Sequence, residues 1–312
     1  MICKICSNKV SIKNRERFLY GKRLKSKFIQ FCENCKIGQV DHIPDADEIY
    51  NFYNSIGTQK LFKTQSNKSS MRFKKLDTVL EFILKKTNFN LNSKISYLDI
   101  GAGSGRFCKQ LLDLSNFSVD AIEPDKTKCN LLKYFNINFQ NKTFESFCLS
   151  NNKKYNLIKL SQVLEHVVDP KDFLIKIYSS MNENSYLWID IPNCNSKYFK
   201  NRDNDLVGHL FFFNKNSLKN LCNLSNFKIV SIGSFGDIIK PKKYFKILIN
   251  RIKSIIHLYV PISILNVRKK YMEKKLVYKK RNFLEKDYFQ NSYFQFHENI
   301  FENEKLFVLL KK

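Results

Sequence analysis

The stretch from Ile95 to Asp125 constrains this chain more than any other. It reads Ile95-Ser-Tyr-Leu-Asp99-Ile100, then Gly101-Ala-Gly103-Ser-Gly105-Arg-Phe107, then a helix-like segment, then Val119-Asp-Ala-Ile-Glu123-Pro-Asp125. An apolar run enters a turn with three glycines, and a second apolar run ends in an acid. That order predicts a strand–turn–helix–strand unit that holds a nucleoside, because glycines accept positive φ and let a ligand approach the backbone. The spacing excludes two relatives of this turn. A dinucleotide fold places its third glycine three residues after the second. Arg106 stands there, and the glycine is Gly105 instead. A Walker loop needs Gly-Lys-Ser/Thr, which is absent. Glu123 closes the second strand 18 residues after Gly105. A carboxylate at that point accepts bonds from both ribose hydroxyls and repels a 2′-phosphate.

These residues resemble the class I S-adenosylmethionine (SAM) methyltransferases, and the resemblance continues downstream. Lys154–Ser161 is similar to their fourth strand. Gln162-Val-Leu-Glu165-His166-Val-Val-Asp169-Pro170 resembles the Glu-His-x-x-Asp-Pro motif of one bacterial branch. Ser185–Asn193 resembles the fifth strand and its loop. Gly208-His209-Leu-Phe-Phe-Phe-Asn214 with Ser217-Leu218, then Asn226–Val230, resembles a later helix and the sixth strand, and Glu304–Lys311 fits a closing seventh strand. The resemblance implies an α/β fold, a Rossmann-like, doubly wound sheet of seven strands. It places Asp99, Gly101, Gly103 and Gly105 near the methionine part of SAM and Glu123 on the ribose. It puts Thr143 or Phe144 at the adenine edge, with Ser161 and Gln162 on the opposite side.

Nine cysteines divide into two groups. Cys3-Lys-Ile-Cys6 and Cys32-Glu-Asn-Cys35 are two Cys-x-x-Cys pairs; the other five are scattered. Two such pairs suit a tetrahedral Cys₄ zinc site, and four protein ligands leave the metal no open position, so the zinc would be structural. A redox pair is the alternative. Cys32-x-x-Cys35-Lys-Ile-Gly38-Gln39-Val40, followed by Ile43-Pro44 and Glu48-Ile-Tyr50-Asn-Phe-Tyr53, resembles the zinc-ribbon start of bacterial methyltransferases, many of which modify sugar nucleotides or surface-glycan intermediates. Tyr50 and Tyr53 share a helical face, to pack on the SAM domain or to meet substrate.

The chain then divides into a zinc ribbon over 1–45, helices over 46–94, the SAM domain over 95–236, a basic helical insertion over 237–299 and a closing strand over 300–312. Phe73, Leu76, Leu80, Ile83 and Leu84 form a helical stripe in the second segment, after a polar loop at 65–70. Asp169-Pro170 with Asp172 marks a helix start, and Phe173, Leu174, Ile177, Tyr178 and Met181 form its buried stripe.

The formal net charge of +26 is uneven. Fifteen Lys or Arg between Lys240 and Lys286 stand against Glu273 and Glu285 alone. Phe245, Leu248, Ile249, Ile252, Ile255, Ile256 and Tyr259 form an apolar stripe with lysines mostly off it. A helix over 242–259 can pack that stripe on the SAM domain, lie on an anionic membrane surface, or meet nucleic acid. No apolar run reaches the ~20 residues of a membrane span, and the N-terminus does not read as a signal peptide. The chain reads as cytoplasmic, with peripheral contact at the inner membrane surface as an option.

For chemistry, His166 is the candidate base, because imidazole titrates near neutrality. Glu165 is placed to orient it or to bond the ligand, and His209 is a second candidate. Ubiquinone-pathway relatives hold a divalent metal through Glu-x-x-Glu-His, but here the first acid is Gln162, so that metal is not expected. The expected activity is methyl transfer to a small molecule, preferably a sugar, sugar nucleotide or surface-glycan intermediate. An RNA methyltransferase is the first alternative, and a non-catalytic SAM-fold scaffold at a membrane the second.

Overall fold

The computed structural model describes residues 2–10, 15–17, 28–45, 47–48, 79–90, 92–114, 116–195, 208–237, 294–299, 301, 303 and 305–312. Met1–Phe235 and Phe296–Lys312 form one compact unit, and Gly236–Gln295 forms a second. Tyr50, Tyr53, Phe73, Leu76, the loop at 65–70 and the basic helix over 242–259 lie outside the described residues.

The larger unit is built on an eight-stranded sheet. In chain order the strands are β4 (Ile95–Ile100), β5 (Phe117–Ile122), β6 (Asn138–Gln140), β7 (Tyr155–Ser161), β8 (Met181–Pro192), β10 (Lys228–Asp237), β11 (Phe294–Glu298) and β12 (Lys305–Lys311). Their spatial order is β11-β10-β12-β8-β7-β4-β5-β6. β4, β5, β6, β7 and β8 are parallel, and β12 runs antiparallel between β8 and β10. The sheet holds the seven strands expected, with β11 added at its edge. Residues 294–298 were expected in the helical insertion. They lie beside β10 as the edge strand of the sheet.

Parallel strands carry crossovers, and the crossover helices start where the sequence provides caps. α1 (Arg106–Leu112) follows the glycine turn. α2 (Lys126–Tyr134) is capped by Asp125, whose side chain accepts from Thr127 N. α3 (Phe144–Cys148) is capped by Thr143. α4 (Pro170–Ser179) has Asp169 as cap and proline at its first position, as expected, and buries Phe173, Leu174 and Ile177. α5 (Lys215–Leu224) begins at a reciprocal box in which Asn214 and Ser217 bond each other's backbone. Residues 79–86 are helical and bury Ile83. Four strands read as near-continuous apolar runs because both faces are covered: Leu98, Leu157, Trp188 and Val308 are all fully buried.

The N-terminal segment contributes β1 (Arg15–Arg17), β2 (Phe28–Phe31) and β3 (Gly38–Val40). They form a second sheet, β1-β2-β3-β9, whose last strand is Phe211–Phe212. The sequence reading assigned the stretch around Gly208–Asn214 to a helix. Only α5, from Lys215, is helical; Phe211–Phe212 pairs antiparallel with β3 and buries both rings. Three consecutive aromatics without a polar helical face favour a strand between two covered surfaces.

Candidate functional site

The carboxyl ends of β4, β5 and β7 open into a cleft of about 530 Å³. This is where open α/β sheets bind ligands, at the point where strand order reverses. Six residues singled out from the sequence line it: Gly101, Glu123, Thr143, Phe144, Gln162 and His166.

The glycines of the turn all have positive φ, 70° at Gly101, 59° at Gly103 and 69° at Gly105. Two are also needed for space. A Cβ on Gly101 would lie 2.5 Å from Val163, and one on Gly105 would lie 2.4 Å from Leu132 and 2.6 Å from Ile137. At Gly103 a Cβ would meet nothing nearer than 4.0 Å, so that part of the turn presents bare backbone. Gly103 N donates to Glu123 Oε2 at 2.6 Å, and Asp125 N donates to Glu123 Oε1 at 3.0 Å. Burial raises the Glu123 carboxyl above its ordinary pKa, while Lys128 and the two backbone donors pull it back. Lys128 Nζ lies 3.9 Å from Glu123 and 3.8 Å from Asp125.

Neither Asp99, which is buried, nor Ser161, which is half-buried, lines the cleft. Asp99 is buried and paired with Lys159 at 3.1 Å, its partner in register on β7. Cys108 Sγ bonds the same carboxylate at 3.4 Å, and Lys159 lies 4.9 Å from the centre of the Phe107 ring. Burial alone would lower Lys159; Asp99 and Asp190 outweigh it and hold the amine above its ordinary value. Sequence reasoning missed Lys159, although a lysine inside the apolar run Leu157-Ile158-Lys159-Leu160 signals a buried anion beside it. Gln162, at φ 58°, donates to Asp190 Oδ1 at 3.1 Å and to Asp190 O at 3.2 Å.

On the other wall, Glu165, His166 and His209 come together, and each offers a ligand atom within 4.8 Å of the others. His166 Nδ1 lies 2.8 Å from Gly208 O, so Nδ1 carries the proton and Nε2 the lone pair. Glu165 Oε1 lies 3.8 Å from His166 Nε2 and 3.9 Å from His209 Nε2. The two imidazoles meet edge to face at 4.7 Å. Glu165 is 1% exposed, and among the described residues neither carboxyl oxygen has a hydrogen-bond partner. Burial therefore pushes its pKa up to about 8, and burial pushes His166 down to about 4. Near pH 7 both groups are neutral. His166 retains 22% of its side-chain surface and reaches the cleft, with Glu165 and His209 behind it.

The four N-terminal cysteines form a separate cluster. Cys3 Sγ lies 3.4 Å from Cys35 Sγ, and Cys6 Sγ 3.4 Å from Cys32 Sγ. Two identical turns present them. Ser7 N bonds Cys3 O and Lys36 N bonds Cys32 O, both at 2.9 Å, and Ser7 and Lys36 both stand at φ 59°. Tetrahedral zinc with 2.3 Å bonds sets its sulfurs about 3.8 Å apart, so the donor set fits that ion with a small expansion. The Cys35 bond holds Cys3 down to about 5, and the Cys3 bond together with burial raises Cys35.

A methyltransferase-domain family model matches residues 70–232, more than half of the chain. The chain belongs to that family. It carries a methyltransferase domain. Curated relatives include ubiquinone biosynthesis O-methyltransferases. One from Rickettsia prowazekii is 28% identical over 128 residues, covering 38% of this chain and 50% of that protein. One from Glaesserella parasuis is 27% identical over 130 residues, covering 38% and 54%. The chain thus spans about half the length of the curated relatives it matches. Among solved structures, a SAM-dependent methyltransferase from Archaeoglobus fulgidus aligns with TM-score 0.50 at 17% identity, over 82% of this chain and all of that one. A plantazolicin methyltransferase, solved with a desmethyl analogue and S-adenosylhomocysteine, aligns with TM-score 0.51 at 13% identity, over 85% and 94%. These two likenesses show the fold. Among the described residues no helix is long and apolar enough to cross a membrane.

Proposed function

We propose that this methyltransferase acts on a hydroxyl of a small molecule, and that Glu165, His166 and His209 form its acid–base group. The observation that carries this reading is His166 on the cleft wall, with its Nδ1 2.8 Å from Gly208 O and its ring held toward the neutral form by burial. A hydroxyl needs a base as its oxygen attacks carbon. His166 Nε2 takes the hydroxyl proton, and the buried Glu165 carboxyl stands 3.8 Å away. SAM supplies an electrophilic methyl on a sulfonium; the acceptor oxygen gains that methyl as the sulfur–carbon bond breaks.

For the cofactor, Glu123 receives the ribose hydroxyls, and Gly101 and Gly103 give backbone to the methionine part. Asp99 acts from behind, anchoring β4 to β7 through Lys159, and Gly105 lets the turn pack on Leu132. Thr143 and Phe144 border the adenine. Ser161 and Gln162 shape the opposite side. Cys3, Cys6, Cys32 and Cys35 hold a structural zinc.

The first acceptors to try are sugars, sugar nucleotides and surface-glycan intermediates, on the strength of the ribbon's resemblance. Phenolic quinone precursors are the second reading, favoured by the names of the curated relatives. The test is a two-step one. Calorimetric titration with S-adenosylhomocysteine should give micromolar binding to zinc-loaded protein. Methyl-labelled SAM should then mark a nucleotide sugar in preference to a polyprenyl phenol. No binding by folded, zinc-loaded protein would overturn the cofactor assignment, and labelling of the phenol alone would move the acceptor to the second reading.

A further inference from the structure

The cysteine cluster and the histidines are joined by a continuous path through one short segment, residues 208–214. On its ribbon side, Gly38 pairs with Phe212 and Gln39 with Phe211, and Val40 N donates to Leu210 O at 3.0 Å. Asn214 Nδ2 donates to Lys36 O at 2.5 Å, immediately beyond the Cys32–Cys35 turn. On its other side, Leu210 N donates to Glu165 O at 2.8 Å, Gly208 O receives His166 Nδ1 at 2.8 Å, and His209 packs against the His166 ring. There is little slack in the joint. A Cβ on Gly38 would come within 2.9 Å of Ile29 and Phe31 and 3.0 Å of Phe212. Phe211, Phe212 and Phe213 are all 1–2% exposed.

We propose that the ribbon positions the acid–base group: the cysteine turns set β3, β3 and Asn214 set the 208–214 segment, and that segment fixes the tautomer of His166 and the place of His209 against Glu165. Asn214 is a positioning residue in this scheme and touches neither cofactor nor acceptor. A ribbon that only covered the aromatics would need β3 on Phe211 and Phe212 but no side-chain bond at Lys36. A bidentate division of labour marks Asn214: its Oδ1 caps α5 at Asn216 N and Ser217 N, and its amide serves the ribbon. The inference rests on the reading of Glu165–His166 as the acceptor's acid–base pair, but its test does not depend on the acceptor.

The experiment separates the two halves of Asn214. Asn214→Asp and Asn214→Ser in the full zinc-loaded chain keep an oxygen for the helix cap and remove the donor to Lys36 O. The chain has five histidines, so imidazole nitrogen NMR resolves them, with His166→Gln assigning the signal. In the wild type, His166 should show a single Nδ1–H tautomer. In both variants that signal should shift toward a mixture of tautomers, while S-adenosylhomocysteine affinity stays within about twofold. Withdrawing zinc with a chelator should produce the same shift from the other end of the path. An unchanged His166 signal in both variants, with or without a loss of thermal stability, overturns the proposal. So does a loss of S-adenosylhomocysteine binding in step with the histidine shift, since that marks general disruption. Failure of the wild type to bind S-adenosylhomocysteine would sink the cofactor assignment and leave the histidine result to decide this one.

Discussion

The two walls of the cleft are made in opposite ways. The wall at Gly101–Asp125 comes from one stretch of chain: a strand, a turn, a helix and a strand, with Glu123 bonding back to Gly103 only 20 residues away. The wall at His166 is assembled from distant pieces. Glu165 and His166 meet Gly208 and His209 across 42 residues, and the segment that carries them is held by Lys36, 178 residues from Asn214. The difference teaches that a cofactor site can be a local motif, whose geometry its own glycines and caps set, whereas an acceptor site depends on long-range packing and so has room to vary.

That contrast can be broken first at the cysteines. Cys32→Ser removes one of the four thiols of the proposed zinc site, where a bound metal would contribute folding energy directly. Bound zinc should fall from one per chain to near zero, and thermal unfolding should show the largest loss of stability of any change considered, several kcal/mol. Retained zinc and an unchanged transition would mean that the ribbon fold does not need the ion. The cofactor wall should respond to Glu123→Ala. Two charge-assisted bonds to ribose are lost, each worth about 1.5–3 kcal/mol, so S-adenosylhomocysteine affinity should drop by at least about 150-fold. Unchanged affinity would place the nucleoside elsewhere.

Within the glycine turn, Gly105→Ala should cost about 2 kcal/mol, because strain at φ 69° adds to a clash with Leu132 and Ile137. Gly103→Ala has positive φ but open space, and should cost about 1 kcal/mol. Differential scanning calorimetry that reverses this order would contradict the packing of the turn.

The smallest effect sharpens the acid–base wall. Glu165 is raised to about 8 from 4.5, so the folded state keeps a proton that the unfolded state gives up, and stability falls as pH rises through that window. His166, lowered to about 4 from 6.5, acts with the opposite sign, but only below pH 6.5. Of these two groups only Glu165 acts between pH 6.5 and 8. Glu165→Gln should therefore lose less melting temperature than the wild type over that interval, by about 4 °C. Parallel curves would show that Glu165 is ionised in the folded protein.

Residue by residue, the legible parts were those with short-range causes. Asp169-Pro170 gave a helix start, and the strands read as apolar runs because parallel sheets are covered on both faces. Cys3, Cys6, Cys32 and Cys35 were legible as one cluster because each pair is a tight turn. The Lys159–Asp99 pair was hidden, since register between β4 and β7 is a property of the sheet and not of either strand. The β9 pairing was hidden for the same reason, and the strand at Phe294–Glu298 lay beyond a long insertion that gave it no local signal.

By itself the sequence determined the methyltransferase class, the glycine turn, the acid that bonds back to it and the cysteine quartet. All of these follow from backbone conformations and spacings set within a few dozen residues. Only the tertiary structure decided that His209 stands beside Glu165 and His166, and that the ribbon's sheet is completed by the segment carrying that histidine. Those contacts exist only once chain ends far apart in sequence share a buried, hydrogen-bonded interface, where each backbone donor must find an acceptor.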